Sequence, residues 1–271
     1  MICCAFFKDN QCVEPYLKHI YVAGLIWSRI YKKYYLKSVQ RVLNSKNDND
    51  LVLLAILYHD LGKLTTQYMK GDRKSFRHEL VGAYLAYKTH GNNIGLYLAL
   101  AVMLHHESGI LGIYAGEKGE DFITLSTLKK VIYGANLEVY CDLTTDDLWY
   151  NKAKGIFRNE IDYINRELKN IDKREMYEII KEMYEIIKEI VIRSTVGESN
   201  KLLEIRTKAA TLLYPLTLVD SISASFTRKE YSDNDSSTWV TNRALGIEGT
   251  RAEIPSKEEL EDLLRKEGII Q

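Results

Sequence analysis

Along most of the chain, apolar residues return every three to four positions, and only three prolines (Pro15, Pro215, Pro255) interrupt them. That period belongs to amphipathic helices, so the pattern predicts an all-α protein. A first helix is expected from about Tyr16 to Tyr35, starting beside Pro15, which suits a first helical turn. Leu36 to Leu43 follows and can continue it. Asn47-Asp48-Asn49-Asp50 offers side-chain caps for the apolar run Leu51 to Tyr58. Gly62 is placed to end or bend that helix.

His78 is expected to open a helix that reaches about Thr89. Gly91-Asn92-Asn93 breaks it before a very apolar helix from Ile94 to His106. Residues 108–121 hold four glycines and read as a loop, either a plain connector or a cover over substrate. Met-Tyr-Glu-Ile-Ile-Lys-Glu occurs twice in succession, at 176–182 and 183–189. It places Ile179, Ile180, Met183, Ile186, Ile187 and Ile190 on one side of a helix. Two heptads are short for a coiled coil, so this face is expected to pack on the protein's own core. Leu202 to Phe226 reads as a last core helix or helix pair, interrupted near Pro215. Arg228 to Ser237 reads as a polar, mobile stretch. Ser256 with Glu259 forms a capping box before Leu260, Leu263 and Leu264.

Composition narrows the classes. The 271 residues suffice for one large domain with a sizeable core. Lys+Arg and Asp+Glu both total 37, so no global basic field steers nucleic acid, and any such binding needs a local patch. Cys3, Cys4, Cys12 and Cys141 show neither a CxxC pair nor a regular framework. The expectation is therefore no structural zinc and no disulfide scaffold, with Cys3 and Cys4 as small buried residues of a first strand or turn. The N-terminal apolar stretch is too short for a signal peptide. No apolar run approaches the roughly 18 residues of a membrane span, so a soluble, cytoplasmic protein is expected.

The candidate chemistry lies in histidines and aspartates. His59-Asp60 emerges directly from the apolar run, within His-Asp-Leu-Gly-Lys. His78 and the doublet His105-His106 begin or end predicted helices. Neutral imidazoles and ionised carboxylates on rigid elements are what a metal site needs. Helical neighbours point about 100° apart, so Asp60 can face a second ion only by lying between two. Asp220 sits in an otherwise apolar stretch, and burying its charge unpaired costs several kcal/mol. It should meet a cation or a strong donor set, or else serve as a helix cap or have Ser221 and Ser223 as hydrogen-bond partners. His19 alone reads as a packed or surface residue, and His90 as a helix C-terminal one. Lys63 can reach a phosphate oxygen as a point charge, or be an ordinary lysine near a helix end. Lys70, Arg73, Lys74 and Arg77 form a basic cluster, either a nucleic-acid groove or a solvated loop.

His59-Asp60, preceded by His19 and followed by His78, His105-His106 and Asp220, resembles the HD superfamily of metal-dependent phosphohydrolases. His-Asp-Leu-Gly-Lys with the His-His doublet is most similar to the stand-alone HD nuclease of type I CRISPR interference. The resemblance covers about residues 14–226. It implies one HD helical bundle, with a core of about 14–121 and 200–226. A helical insertion at about 122–199 and an extension at 227–271 complete that layout. It implies that His19, His59, Asp60 and Asp220 surround one metal, and Asp60, His78, His105 and His106 a second. Two divalent ions roughly 3.5–4 Å apart would then activate water, with Asp60 and Lys63 as the catalytic side chains. Manganese, iron, nickel or cobalt suits histidine-rich ligation better than magnesium. The implied substrate is single-stranded DNA, and sometimes RNA. No GxxxxGK[ST] stretch occurs, so a helicase subunit and the surveillance complex are expected as separate partners. Two other readings stand beside the nuclease. A nucleotide phosphohydrolase would need a closed pocket with base-stacking groups, and a non-catalytic HD docking subunit would need no reaction at all.

Overall fold

The computed structural model describes residues 2–45, 50–71, 73, 76–106, 125–193, 200–228 and 257–270. The predicted loop at 108–121, with Glu107 and Ser108, lies outside the described residues, as do Lys74, Ser256 and the stretch after Arg228.

The chain opens with a feature that helical periodicity could not show. Strands β1 (Cys4–Lys8) and β2 (Gln11–Pro15) pair antiparallel across the two-residue turn Asp9-Asn10. Both turn residues have positive φ, 49° and 62°, which matches the twist of a tight hairpin. The four cysteines correct the sequence expectation. Cys4 is bonded to Cys12 across the hairpin, and Cys3 to Cys141, 138 residues away. Irregular spacing hid both pairs, because the second depends on a tertiary approach.

Pro15 then starts a rod of three segments: α1 (Tyr16–Ile26), a π-helical turn (Trp27–Tyr31) and α2 (Lys32–Leu43). Asn44, left-handed at φ 52°, ends it. Asp50 caps α3 (Leu51–Tyr58) by accepting from the Val52 and Leu53 amides. Its other oxygen accepts from the Trp27 indole at 2.8 Å and pairs with Lys32, so one side chain fixes α3 to the rod. A 3₁₀ turn (Leu61–Leu64) and the short α4 (Thr66–Lys70) follow, then α5 (Glu79–His90) and α6 (Asn92–Leu104). Gly91, at φ 52°, turns α5 back along α6 as an antiparallel pair.

Among the described residues, four α-helices lie in the segment before the last motif: α7 (Leu125–Gly134), α8 (Asp147–Phe157), α9 (Glu160–Glu167) and α10 (Lys173–Arg193). They pack on the core: α8 lies on α1, and α10 on α5 and α7. The duplicated heptad behaves as its spacing suggests. Met176, Ile180, Met183, Ile187 and Ile190 form the buried seam, with Ile179 and Ile186 half-buried at its edge.

α11 (Asn200–Thr227) runs unbroken through Pro215, where an interruption was expected. Proline removes one helical hydrogen bond. Burial of Leu212, Leu216, Leu218, Val219 and Ile222 against α6, α1 and α3 outweighs that loss. Among the described residues, α11 is also the one helix long and apolar enough to cross a membrane, although no apolar run was expected to approach that length. Interspersed threonines and serines concealed it. Half of that stretch is buried against protein, as in a core helix. Finally, α12 (Lys257–Lys266) docks Leu260 and Leu264 on the core, and Glu267 just beyond it accepts from Tyr21 at 2.9 Å.

Candidate metal centre

Each predicted ligand lies at or near the end of a buried helix. His59 and Asp60 leave the C-terminus of α3, and His105 and His106 leave that of α6. His78 precedes α5, His19 lies one turn into α1, and Asp220 lies in the last third of α11. Two glycines let these ends meet. A Cβ on Gly62 would collide with the His78 backbone, and one on Gly82 with the Tyr58 carbonyl. The His-Asp-Leu-Gly turn can thus lie directly against the start of α5.

The side chains gather in two groups, His19, His59 and Asp220, and Asp60, His78, His105 and His106. In the first, His19 Nε2 lies 3.1 Å from Asp220 Oδ1 and 3.3 Å from both His59 Nε2 and Asp60 Oδ2. His59 Nε2 lies 3.4 Å from Asp60 Oδ2 and 3.6 Å from Asp220 Oδ1. In the second, His78 Nε2 lies 3.0 Å from both Asp60 Oδ1 and His106 Nε2, and His105 Nε2 lies 3.8 Å from Asp60 Oδ1. Asp60 therefore turns one oxygen toward each group.

These spacings fit a shared cation better than direct bonding. Ligands about 2.0–2.2 Å from one ion stand roughly 3–3.5 Å from one another. Two facing Nε2 atoms, as in His19 with His59 or His78 with His106, gain nothing from a contact that both make as acceptors. His105 Nε2 is buried without a hydrogen-bond partner. A buried polar atom is rarely left so, and a divalent ion at this point would complete it.

The outer nitrogens decide which tautomers form. His59 Nδ1 donates to the Ile56 carbonyl at 2.7 Å, and His105 Nδ1 to that of Val102 at 2.6 Å. Both carbonyls lie three residues back, in helix ends whose own bonding has run out. His19 Nδ1 faces Glu14 Oε1 at 3.0 Å. In each case Nδ1 carries a hydrogen, so Nε2 is the nitrogen that faces the interior and would take an ion.

Charge follows from burial and neighbours. Burial raises the cost of the Asp60 carboxylate, but the His59 and Lys63 charges and the nearby His105 and His19 imidazoles hold its pKa well below the ordinary value. Asp220 is likewise held down, against burial, by His19 and His59. Burial opposes a charged His59, yet Asp60 and Asp220 lift it to about 9. His78 is lowered, mainly by burial. Without an ion, protons on the first group's imidazoles balance its carboxylates, and an ion entering there would displace them.

Lys63 is buried, with Nζ 2.6 Å from Asp60 Oδ2. It thus holds the shared carboxylate instead of standing clear of it. His90 belongs to neither group, its ring edge-on to Tyr58. The described members of the basic cluster already have partners within the chain. Arg73 donates to the Tyr68 carbonyl and lies 3.8 Å from the Phe7 ring, Lys70 lies over Tyr140, and Arg77 binds Glu79.

Three side chains at the centre went unread in the sequence: Glu14, Thr227 and Arg228. Glu14 precedes Pro15 in what looked like helix approach, and Arg228 looked like the start of a polar tail. Arg228 is instead paired with Glu14 at 2.7 Å. Neither position has a spacing that would have revealed it.

Residues 16–132 match the HD domain family. The chain is 40% identical over 141 residues to the CRISPR-associated endonuclease Cas3-HD of Thermoproteus tenax, across 52% of this chain and 61% of that protein. It is 30% identical over 166 residues to the protein of that name from Methanocaldococcus jannaschii, across 54% of this chain and 65% of the relative. A third, from Pyrococcus furiosus, is 33% identical over 129 residues, across 41% and 52%. The matched part thus spans less than two thirds of each relative. Six of the seven gathered residues (His19, His59, Asp60, His78, His105 and His106) fall inside the matched HD segment, and Asp220 reaches them from α11. The likeness to the HD domain family thus lies at residues 16–132, less than half of the chain.

Proposed function

We propose that this protein is a metal-dependent nuclease that hydrolyses phosphodiester bonds of single-stranded DNA, and of RNA as a second substrate, in CRISPR defence. The observation that carries this reading is the division of Asp60, with Oδ2 toward His19 and His59 and Oδ1 toward His78 and His105. That geometry suits a carboxylate shared by two cations. The names of the three relatives favour a nuclease over other HD chemistries.

In this reading His19, His59 and Asp220 would hold one divalent ion and His78, His105 and His106 the other, with Asp60 between them. Such a pair, of manganese, iron, nickel, cobalt or magnesium, lowers the pKa of water and offsets charge on the attacked phosphate. The chain's own part is positional. Backbone carbonyls and Glu14 aim the imidazoles, and Lys63 keeps Asp60 oriented while adding positive charge where phosphate oxygens would approach. A separate helicase would supply single strands, together with a surveillance complex that selects the target. Lys70, Arg73, Lys74 and Arg77 remain candidate strand contacts. Arg73 would act in part by keeping the end of α4 in place.

The test is hydrolysis of single-stranded DNA, duplex DNA and nucleoside triphosphates, measured side by side with Mn²⁺ and with chelator. The expected result is ion-dependent cleavage of single strands. Hydrolysis of triphosphates without strand cleavage would favour a nucleotide phosphohydrolase. Inactivity with every ion would favour a docking subunit.

A further inference from the structure

Of the imidazoles that aim Nε2 inward, His59 and His105 use carbonyls three residues back at the ends of α3 and α6. A backbone carbonyl is present whatever the side chain, so those two tautomers need no particular residue. His19 differs. It lies inside α1, where the preceding carbonyls serve the helix, and it depends on a carboxylate from another element.

That carboxylate, Glu14, is 1% exposed at the end of β2. Oε1 accepts from His19 Nδ1 at 3.0 Å and from the Thr227 hydroxyl, and Oε2 accepts from Arg228 Nε at 2.7 Å. Thr227 ends the helix that carries Asp220, and Arg228 follows it. Ser223 of the same helix donates to the His19 carbonyl at 3.3 Å. One buried side chain thus joins the hairpin, His19 and the end of α11. No contact with His78, His105 or His106 is made by Glu14 among the described residues.

We propose that Glu14 is the positioning residue of the first ion site: it holds the hydrogen of His19 on Nδ1 and keeps that helix in register with Asp220. This rests on the metal-centre reading above and deepens it, by making the two ion sites separable. Without Glu14, His19 is free to carry its hydrogen on Nε2, the atom that must ligate. The site built by His19, His59 and Asp220 then weakens, while the site built by His78, His105 and His106 does not. Outer partners of metal-bound histidines typically change affinity by about 10–100-fold.

The experiment uses the full chain and does not depend on turnover. Ni²⁺ is titrated calorimetrically into wild type, Glu14→Ala and Glu14→Gln, and the ring nitrogens of the proteins loaded with diamagnetic Zn²⁺ are read by ¹⁵N NMR. Wild type should bind two ions and show His19 as the Nδ1–H form. Glu14→Ala should weaken one ion by roughly 10–100-fold, leave the other unchanged, and shift His19 toward Nε2–H. Glu14→Gln, which keeps an acceptor oxygen, should restore most of both. If the alanine variant does not fold, the double variant Glu14→Leu/Arg228→Leu removes the buried pair together and carries the same expectation. Wild type that binds no ion would overturn the metal-centre reading itself. Two ions in wild type, with either unchanged binding or equal loss at both sites in the variant, would overturn only the role of Glu14. A glutamine variant as impaired as alanine would do the same.

Discussion

Asp60 is fully buried, with Lys63 on one oxygen and imidazoles around both. Replacing it by alanine removes the group shared between the two histidine sets and leaves the Lys63 ammonium buried without its partner. Loss of one member of a buried pair costs about 3–5 kcal/mol. Asp60→Ala should therefore lower the thermal midpoint and, in the proposed nuclease reading, reduce turnover by on the order of a hundredfold or more. A variant that cleaves single strands at the wild-type rate would contradict the shared-carboxylate account. Asp142 makes a different demand. The Thr144 amide, then Asn165 and Lys169, hold its carboxyl below the ordinary value of 3.8. Between the folded and unfolded values the unfolded chain binds more protons, so stability rises with pH there. This contribution is complete above about 4 and is lost as pH falls through the lower folded value. Asp142→Ala should thus destabilise at neutral pH by about 1–2 kcal/mol and less in acid, as urea unfolding at the two pH values would show.

Among the elements, the N-terminal hairpin does more than its size suggests. It carries Glu14 to the centre, and its disulfides tie it to itself and to the segment before α8. The Cys3–Cys141 link closes a loop of 138 residues, and long closed loops restrict the unfolded chain most. Cys3→Ser with Cys141→Ser should cost about 2–4 kcal/mol, more than the same change at Cys4 and Cys12. Alkylation and mass measurement of the native protein should find no free thiol, and four modified cysteines would contradict both bonds. α10 gives a sharper contrast between neighbours. Ile180 is fully buried and Ile179 half-buried on the same turn. Ile180→Ala should cost about 2–5 kcal/mol in denaturant unfolding and Ile179→Ala markedly less, whereas equal losses would contradict the heptad seam.

At the scale of the whole molecule, several of the residues that gather at the centre stood out in the sequence as unusual residues in or beside apolar runs, whereas His19 on its own did not. His59, His105 and Asp220 are conspicuous beside Leu, Val and Ile. The helices could be read for the same reason, through periodicity. What could not be read depends on distant approach or on competing energies. Nothing local links Cys3 to Cys141, or Glu14 to Arg228. The continuity of α11 at Pro215 was decided by packing, which outweighs the one lost backbone bond. Neutral net charge excluded a global basic field, and the described basic residues near α4 turn out to be engaged within the chain. The claim on which the rest stands is that two cations share Asp60. Crystals soaked in Mn²⁺ and measured at the manganese absorption edge test it most directly. The account predicts two anomalous peaks roughly 3.5–4 Å apart. One should lie between Asp60 Oδ2 and His19, His59 and Asp220, the other between Asp60 Oδ1 and His78, His105 and His106. A single peak, or peaks away from Asp60, would contradict it.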